Sequence, residues 1–168
     1  IDEWGRMIHD VPGSVLVIYR FLTPLGREGL WTYPYWWRTW DYMKVLTQQL
    51  KITKIIHIDT DMYILTPRLA AWIKADNSGW VATYSPKYKF AEAALWVVNT
   101  DSMQAFLDFP IPNFRCYDNM EAERVVPFTR LAKEFTGDRY GECAAAQTKA
   151  MDFYGQWSTG CADMVFDI

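Results

Sequence analysis

The sequence predicts an α/β fold in which a central sheet, mixed but mostly parallel, is flanked by helices. Short runs of β-branched and other apolar residues, typical of buried strands, alternate along the chain with stretches that carry apolar residues at helical spacing. The 168 residues suffice for one domain with a hydrophobic core and are too few for two comfortable ones. We therefore expect residues 1–168 to form a single domain.

The part of the chain before residue 55 is predicted to hold two helices and one strand. Ile1–Asp10 has apolar residues at near-helical spacing and predicts a short helix. Val15–Tyr19 is apolar throughout and predicts a buried strand, a parallel neighbour of the next strand in the chain. The aromatic stretch Leu30–Met43 leads into a longer helix. Its predicted core face comprises Trp36, Trp40, Met43, Val45, Leu46 and Leu50.

The segment Lys54–Leu65 organises the rest of the chain. Three isoleucines form too short a run for a buried helix and predict a strand inside the sheet, which ends at Asp59 and Asp61. Two hard oxygen ligands at the carboxyl end of a strand suit Mg²⁺ or Mn²⁺, which prefer carboxylates together with substrate phosphates. The alternative is that these two side chains only cap a helix or close a turn.

The elements after residue 65 are predicted from the spacing of apolar residues and from the residues typical of turns. Apolar runs predict strands, apolar residues three and four apart predict helices, and Gly, Pro and Asn mark the connections. The predicted strands are Trp80–Tyr84, Ala93–Val98 and Ala162–Phe166, and the predicted helices are Leu69–Lys74, Ser102–Phe109, Phe128–Phe135 and Glu142–Tyr154.

Composition excludes several classes of partner. The net charge of −3 and the absence of a basic run argue against binding to nucleic acid. No stretch approaches the ~20 apolar residues that a membrane span requires. Cys116, Cys143 and Cys161 are odd in number and lack metal-site spacing, which fits reduced thiols in the cytoplasm. We expect a small-molecule or carbohydrate partner.

The order of these features resembles a GT-A-type glycosyltransferase. The resemblance rests on an amphipathic helix, an apolar strand that ends in Asp59-x-Asp61, the continuation to Pro67, and a later strand that ends at Asn99. It implies a Rossmann-like GT-A domain that moves a sugar from a nucleoside-diphosphate sugar to a carbohydrate or other acceptor hydroxyl. It also implies that Asp61 binds Mn²⁺ or Mg²⁺ directly, while Asp59 binds it through water or holds the ribose.

The resemblance suggests further residues around the donor. Arg38 and Lys44 lie on the helix that in this family runs near the diphosphate, where cations pair with phosphate oxygens. Glu92 and Asn99 match approximately the segment that shapes the donor-sugar pocket. The alternatives are a solvated helix face for the two cations and hydrogen bonding at a strand end for the other two.

The candidate general base lies in the acidic segment that starts at Tyr117. Asp118 or Glu121 would deprotonate the acceptor hydroxyl in an inverting transfer. The alternative is structural, because Asp118 stands where a helix N-cap is expected and Glu121 at the capping-box position. The only histidines are His9 and His57, so no late histidine offers the third metal ligand of glycogenin-like retaining enzymes.

Three further points stay open. A haloacid-dehalogenase-type phosphatase also places Asp-x-Asp after an apolar strand, but Tyr63 stands where that family wants Thr or Val. A third hypothesis is a non-catalytic nucleotide- or carbohydrate-binding module with a degenerate site, because only one convincing strand precedes the strand that ends at Asp59. A full GT-A nucleotide-binding half opens with two or more βα units, and the chain begins at Ile1 rather than Met. Either the domain is minimal or N-terminal sequence is missing.

Overall fold

A computed structural model of the protein describes residues 3–8, 16–21, 34–75, 78–111, 122–138 and 149–155. The chain divides into two compact units, Ile1–Asp41 with Ile111–Asn119, and Tyr42–Pro110 with Met120–Ile168. Within the described residues, no helix is both long and apolar enough to cross a bilayer.

The first unit contains an antiparallel pair of strands, β1 (Glu3–Ile8) and β2 (Leu16–Phe21). The predicted helix at Ile1–Asp10 is therefore wrong for residues 3–8. Gly5 disfavours a helix there, and pairing with β2 outweighs the weak helical spacing. The strand predicted at Val15–Tyr19 is present as β2, but its described partner is β1 and the pairing is antiparallel rather than parallel.

The helix α1 (Pro34–Leu50) starts in the first unit and ends in the second. Proline suits the first position of a helix because its missing N–H has no partner to lose there. Trp37, Trp40 and Thr47 are buried, whereas Val45 and Leu50 are exposed. The core face therefore lies closer to Trp37 than predicted, since positions three and ten residues further on share its side of the helix.

The second unit holds the remaining elements. Those at predicted positions confirm the strands near residues 55, 80 and 93 and the helices near residues 69 and 102. In chain order they are β3 (Ile55–Ile58), β4 (Met62–Ile64), α2 (Pro67–Ala75), β5 (Trp80–Ser85), β6 (Phe90–Val98), α3 (Met103–Asp108), α4 (Ala122–Val125), β7 (Arg130–Ala132), β8 (Gly137–Asp138) and β9 (Phe153–Gly155).

The larger sheet of this unit has the strand order β3-β6-β5-β7. It is mixed, as predicted: β3 and β5 are antiparallel to β6, and β7 is parallel to β5. Most of its described pairings are antiparallel and not parallel as predicted. For β5 and β6 the reason is the four-residue turn 86–89 that joins them, which is too short for a parallel crossover. Within the described residues β3 lies at the edge of this sheet rather than inside it.

A second sheet joins distant segments in the order β4-β9-β8. Strand β9 is antiparallel to β4 and parallel to β8. The helix predicted at Phe128–Phe135 is replaced by β7, and the helix predicted at Glu142–Tyr154 is wrong at its end, where β9 lies. Its residues 142–148, the predicted strand Ala162–Phe166 and all three cysteines lie outside the described residues.

Both faces of the larger sheet are covered along its inner strands β5 and β6, whereas Ile56 and Ile58 of the edge strand β3 are exposed. On one face, Leu95 of the central strand β6 belongs to an apolar cluster with residues of α2, β4, β7 and β9. On the other face, Trp80 and Trp96 pack against Phe106 of α3, with ring centroids 5.5 and 5.9 Å apart. Every residue from Ala91 to Val98 is consequently buried, as expected for a strand with both faces covered. This buried strand is the neighbour with which the edge strand β3 pairs.

Candidate functional site

The two carboxylates predicted to bind metal lie in a tight turn between β3 and β4. The main-chain N–H of Met62 donates to the carbonyl of Asp59 at 3.0 Å, which closes a β-turn around Thr60 and Asp61. Asp59 and Asp61 are half-buried. Asp is a favoured first residue of such turns, so this geometry agrees with the turn-closing alternative as well as with a ligand site at the strand end.

The side chain of Asp59 is paired with a histidine that the sequence analysis did not connect with it. His57 Nε2 lies 2.8 Å from Asp59 Oδ1. The imidazole stacks on Trp96 with a centroid distance of 4.6 Å and an interplanar angle of 8°. Residues two apart on a strand share a face, so the period of β3 could have revealed this pair.

The main chain of Asp59 rests on an irregular part of β6. The N–H of Asp59 donates to the carbonyl of Ala94 at 2.9 Å. On the opposite side of β6, Ala82 pairs with Trp96 while Thr83 pairs with Glu92, so residues 93–95 bulge from the ladder with β5. Such bulges re-aim side chains next to functional sites.

The carboxylate of Glu92 lies inside this bulge. The N–H of Ala94 donates to Glu92 Oε1 at 3.2 Å, and Glu92 is fully buried. Glu92 is thus connected to the turn through Ala94, and it has no exposed surface with which to touch a donor. Its link to Asp59 runs through Ala94, whose carbonyl accepts from Asp59.

The structure does not bring Asn99 to the turn. Ile55 pairs with Val98 and Ile58 with Leu95, so Asn99 follows β6 at the opposite end of β3 from Asp59. The main-chain N–H and side-chain Nδ2 of Asn99 donate to the carbonyl of Gly79 at 3.0 and 3.1 Å. This is the strand-end hydrogen bonding considered as the alternative, and the antiparallel pairing of β6 with β3 is its cause.

The two predicted cations have different surroundings. Lys44 Nζ donates to the carbonyl of Phe109 and lies 6.0 Å from the ring centroid of Phe106 and 5.9 Å from that of Phe109. The protein itself thus supplies polar and aromatic partners for this ammonium. Arg38 is half-buried on the part of α1 that belongs to the first unit.

Asp118 and Glu121, the predicted general bases, lie outside the described residues. The short helix α4 begins at the next residue, Ala122. The described residues therefore contain a helix after the acidic segment, and they do not test the predicted cap at Asp118.

The strand that leaves the turn is anchored by Asp152, a residue that the sequence analysis missed. Asp152 is almost fully buried. Its carboxylate accepts from Thr66 Oγ1 at 2.6 Å, from the N–H of Thr136 at 2.9 Å and from both Nε and Nη2 of Arg68. Its carbonyl also accepts the N–H of Leu65 at 2.8 Å. These bonds fix the chain directly after β4.

The donor set at the turn fits a metal that arrives with substrate. Across the described ranges, no group of three or more His, Cys, Asp or Glu side chains is arranged to hold a metal ion. Asp59 and Asp61 supply hard carboxylate oxygens, and Mg²⁺ and similar ions are commonly held by one or two carboxylates, water and substrate phosphates. The residues present therefore fit Mg²⁺ or Mn²⁺ bound together with a diphosphate.

We compared the chain with protein-family models, with curated proteins and with solved structures, and none of the three comparisons found a match.

Proposed function

We propose that the protein is a metal-dependent glycosyltransferase of the GT-A type, which moves a sugar from a nucleoside-diphosphate sugar to an acceptor hydroxyl. The observation that carries this proposal is the position of Asp59 and Asp61 in a tight turn at the carboxyl end of β3, with β6 and Asp152 holding the chain on either side. In open α/β sheets, ligands bind in the crevice beyond the carboxyl ends of the strands, and we propose the corresponding place here.

The direction of the strands supports a ligand site at the end of the sheet where β3 leads into the turn. Because β3 and β5 both run antiparallel to β6, their carboxyl ends lie at the same end of the sheet. Strand β6 begins at Phe90, four residues before Ala94, so β6 and its hairpin with β5 continue past the residue that pairs with the end of β3. A hairpin beside the two carboxylates could form one side of a substrate-binding site.

Two lysines near the same end of the sheet supply positive charge, which supports an anionic donor. Lys87 lies in the hairpin turn and Lys133 directly follows β7, which is parallel to β5. Their ammonium groups lie over the rings of Tyr88 and Tyr84, 5.1 and 5.0 Å from the centroids. Lysines act as point charges towards phosphate.

The proposed mechanism assigns a separate task to each group of residues. Asp61 would bind Mn²⁺ or Mg²⁺ directly, and Asp59 would bind it through water or hold the ribose. The metal would offset the charge that develops on the departing diphosphate. Asp118 or Glu121 accepts the proton of the acceptor hydroxyl.

The first test is calorimetric titration with nucleoside diphosphates in the presence and absence of Mn²⁺. Two carboxylates hold such an ion weakly unless phosphates complete its shell, so we expect binding only when metal and nucleotide are both present. Tight nucleotide binding that is indifferent to a chelator would contradict the metal assignment. Absence of binding for every nucleotide would contradict the function.

Assays of turnover separate the proposal from its two rivals. A glycosyltransferase should slowly hydrolyse its nucleotide sugar when no acceptor is present, whereas a haloacid-dehalogenase-type phosphatase should hydrolyse phosphomonoesters. A non-catalytic binding module should do neither while still binding ligand. Tyr63 stands where the phosphatase family has Thr or Val, and it is 44% exposed on β4. The substitution Tyr63→Thr therefore provides a control for the phosphatase hypothesis that leaves the core unchanged.

A further inference from the structure

We propose that His57 is a positioning residue for Asp59: stacked on Trp96, it holds one oxygen of the Asp59 carboxylate and thereby orients this side chain at the site. The inference rests on the proposed function, since it concerns the orientation of a group that would face the metal and diphosphate.

The imidazole is itself held in place. Its ring lies parallel to Trp96, with an angle of 8° and a centroid distance of 4.6 Å. Trp96 is fully buried, and it packs against Trp80 and Phe106. The His57 side chain retains only 11% of its exposure. Because the His57 ring is packed on the buried Trp96, it can restrict the orientation of Asp59, to which it is hydrogen-bonded.

The contact with Asp59 is directional. Nε2 of His57 lies 2.8 Å from Oδ1 of Asp59. An ionised carboxylate only accepts hydrogen bonds, so Nε2 carries the hydrogen and donates it. The bond commits Oδ1 to the protein and selects one orientation of a carboxylate that keeps 22% of its exposure. A preoriented group loses less freedom when it binds.

The main chain of Asp59 does not depend on His57. Its N–H is bound by the carbonyl of Ala94, and its carbonyl by the N–H of Met62. Changing the side chain at position 57 should therefore alter the orientation of the Asp59 carboxylate while the turn stays in place. Partners that orient metal ligands typically affect metal affinity by about 10- to 100-fold when they are replaced.

Three substitutions separate the hydrogen bond from the ring. His57→Phe keeps a ring for Trp96 and removes the donor. His57→Gln places an amide N–H near the position of Nε2, and His57→Asn places one near Nδ1, which is out of reach of Asp59. Each variant is measured for Mn²⁺ binding in the presence of inorganic pyrophosphate by electron paramagnetic resonance, and for thermal unfolding.

We expect Mn²⁺ binding to weaken by about 10- to 100-fold in His57→Phe and His57→Asn and to be largely retained in His57→Gln. In an Asp59→Asn background, His57→Phe should have no further effect, because its influence runs through Asp59. If His57→Phe fails to fold, His57→Asn and His57→Gln still provide the comparison. A purely structural histidine would lower the melting temperature and leave binding per folded molecule unchanged.

Two results would overturn the inference while the proposed function stands. One is wild-type affinity in every folded variant that lacks the donor, and the other is equal weakening in His57→Gln and His57→Asn. If the wild-type protein does not bind Mn²⁺ with pyrophosphate at all, the proposed function fails instead, and the inference fails with it.

Discussion

Arg68 and Asp152 lie 84 residues apart in the sequence, and Nε of Arg68 donates a 2.7 Å hydrogen bond to Oδ1 of Asp152. Burial alone would raise the pKa of Asp152, but hydrogen bonds from Arg68, Thr66 and Thr136, together with the charge of Arg68, hold the pKa below its usual value. The ionised form is thus the one that the folded protein stabilises. This contact ties α2 to the segment that leads into β9, and the hydrogen bonds from Leu65 and Thr66 to Asp152 tie the end of β4 to the same segment.

The first prediction is that Asp152→Asn destabilises the fold by about 2 kcal/mol, since hydrogen bonds to charged groups contribute about that much and the amide offers only one acceptor atom. The loss should depend on pH. Because the pKa is lower in the folded state, the carboxylate stabilises the fold above its unfolded-state pKa, near pH 4, and this contribution disappears as the pH falls through the folded-state value. Thermal unfolding between about pH 7 and about pH 2 measures it.

The melting temperatures of wild type and Asp152→Asn should therefore converge at low pH. Asp108→Asn is the matched control, because Asp108 is an exposed carboxylate on α3 that accepts from Gln104. A difference between wild type and Asp152→Asn that stays constant across this range would contradict the role of ionised Asp152.

The second prediction concerns Asp61. Its replacement by the nearly isosteric Asn should abolish turnover and Mn²⁺-dependent nucleotide binding with little change in stability, because a second carboxylate beside Asp59 is not needed for the turn. Calorimetry, turnover and thermal unfolding of the same preparation check this. Wild-type activity in Asp61→Asn would refute the metal assignment, and failure to fold would favour a structural role for the turn.

The third prediction separates two roles of Glu92. Its carboxylate is fully buried and accepts the N–H of Ala94. Glu92→Gln keeps an acceptor of the same length, so we expect near-wild-type nucleotide binding and stability. Glu92→Ala leaves a cavity and a buried N–H without an acceptor, and should lower stability by about 2 kcal/mol. If Glu92→Gln instead weakens nucleotide binding at unchanged stability, Glu92 contacts the donor as the resemblance implied.

The elements that could be predicted from sequence are those determined by local pattern. The apolar run of β3 and the two aspartates after it are adjacent in the chain, and so are the periodic residues of α1, α2 and α3. Strands β7 and β9 were missed because their pairing with β5 and β4 connects segments far apart in sequence, and tertiary pairing overrides propensity in short segments.

The same distinction holds at the site. The pairing of His57 with Asp59 spans two residues, and the period of a strand places both side chains on one face. The contact of Arg68 with Asp152 depends on how distant segments meet, so no local pattern announces it. The resemblance implies a place for Asn99 in the donor pocket, but the antiparallel direction of β6 puts Asn99 at the opposite end of β3 from Asp59.

The fourth prediction tests the backbone at the start of β5. Gly79 has φ +84°, and an added Cβ would lie 2.6 Å from Thr129 Oγ1, which bonds to the main chain of Trp80. Gly79→Ala should lower stability by about 2 kcal/mol through backbone strain and the disturbed hydrogen bond. Chemical denaturation measures the loss. Activity per folded molecule should persist, because Gly79 lies at the end of the sheet away from Asp59.

A double mutant divides this loss into its two causes. Adding Thr129→Ala removes the close contact but not the strain of a positive φ, so the two substitutions should be less destabilising together than the sum of their separate effects. Strict additivity would contradict the proposed contact between position 79 and Thr129.

The last prediction concerns the general base. Asp118 and Glu121 are closely paired acids directly ahead of α4, where inverting GT-A enzymes tend to place their catalytic carboxylate. If one of them accepts the proton of the acceptor hydroxyl, its replacement by the amide should slow the chemical step by about 10²–10⁴-fold and leave donor binding near normal. If it only caps the helix, replacement by Ala should cost about 1 kcal/mol of stability and preserve activity per folded molecule.

Donor affinity, single-turnover rate and melting temperature of Asp118→Asn and Glu121→Gln distinguish the two roles. Weakened donor binding with unchanged turnover in both variants would instead assign these acids to the nucleotide pocket, because a group that contacts only the bound donor changes ground-state affinity and not the rate of proton transfer.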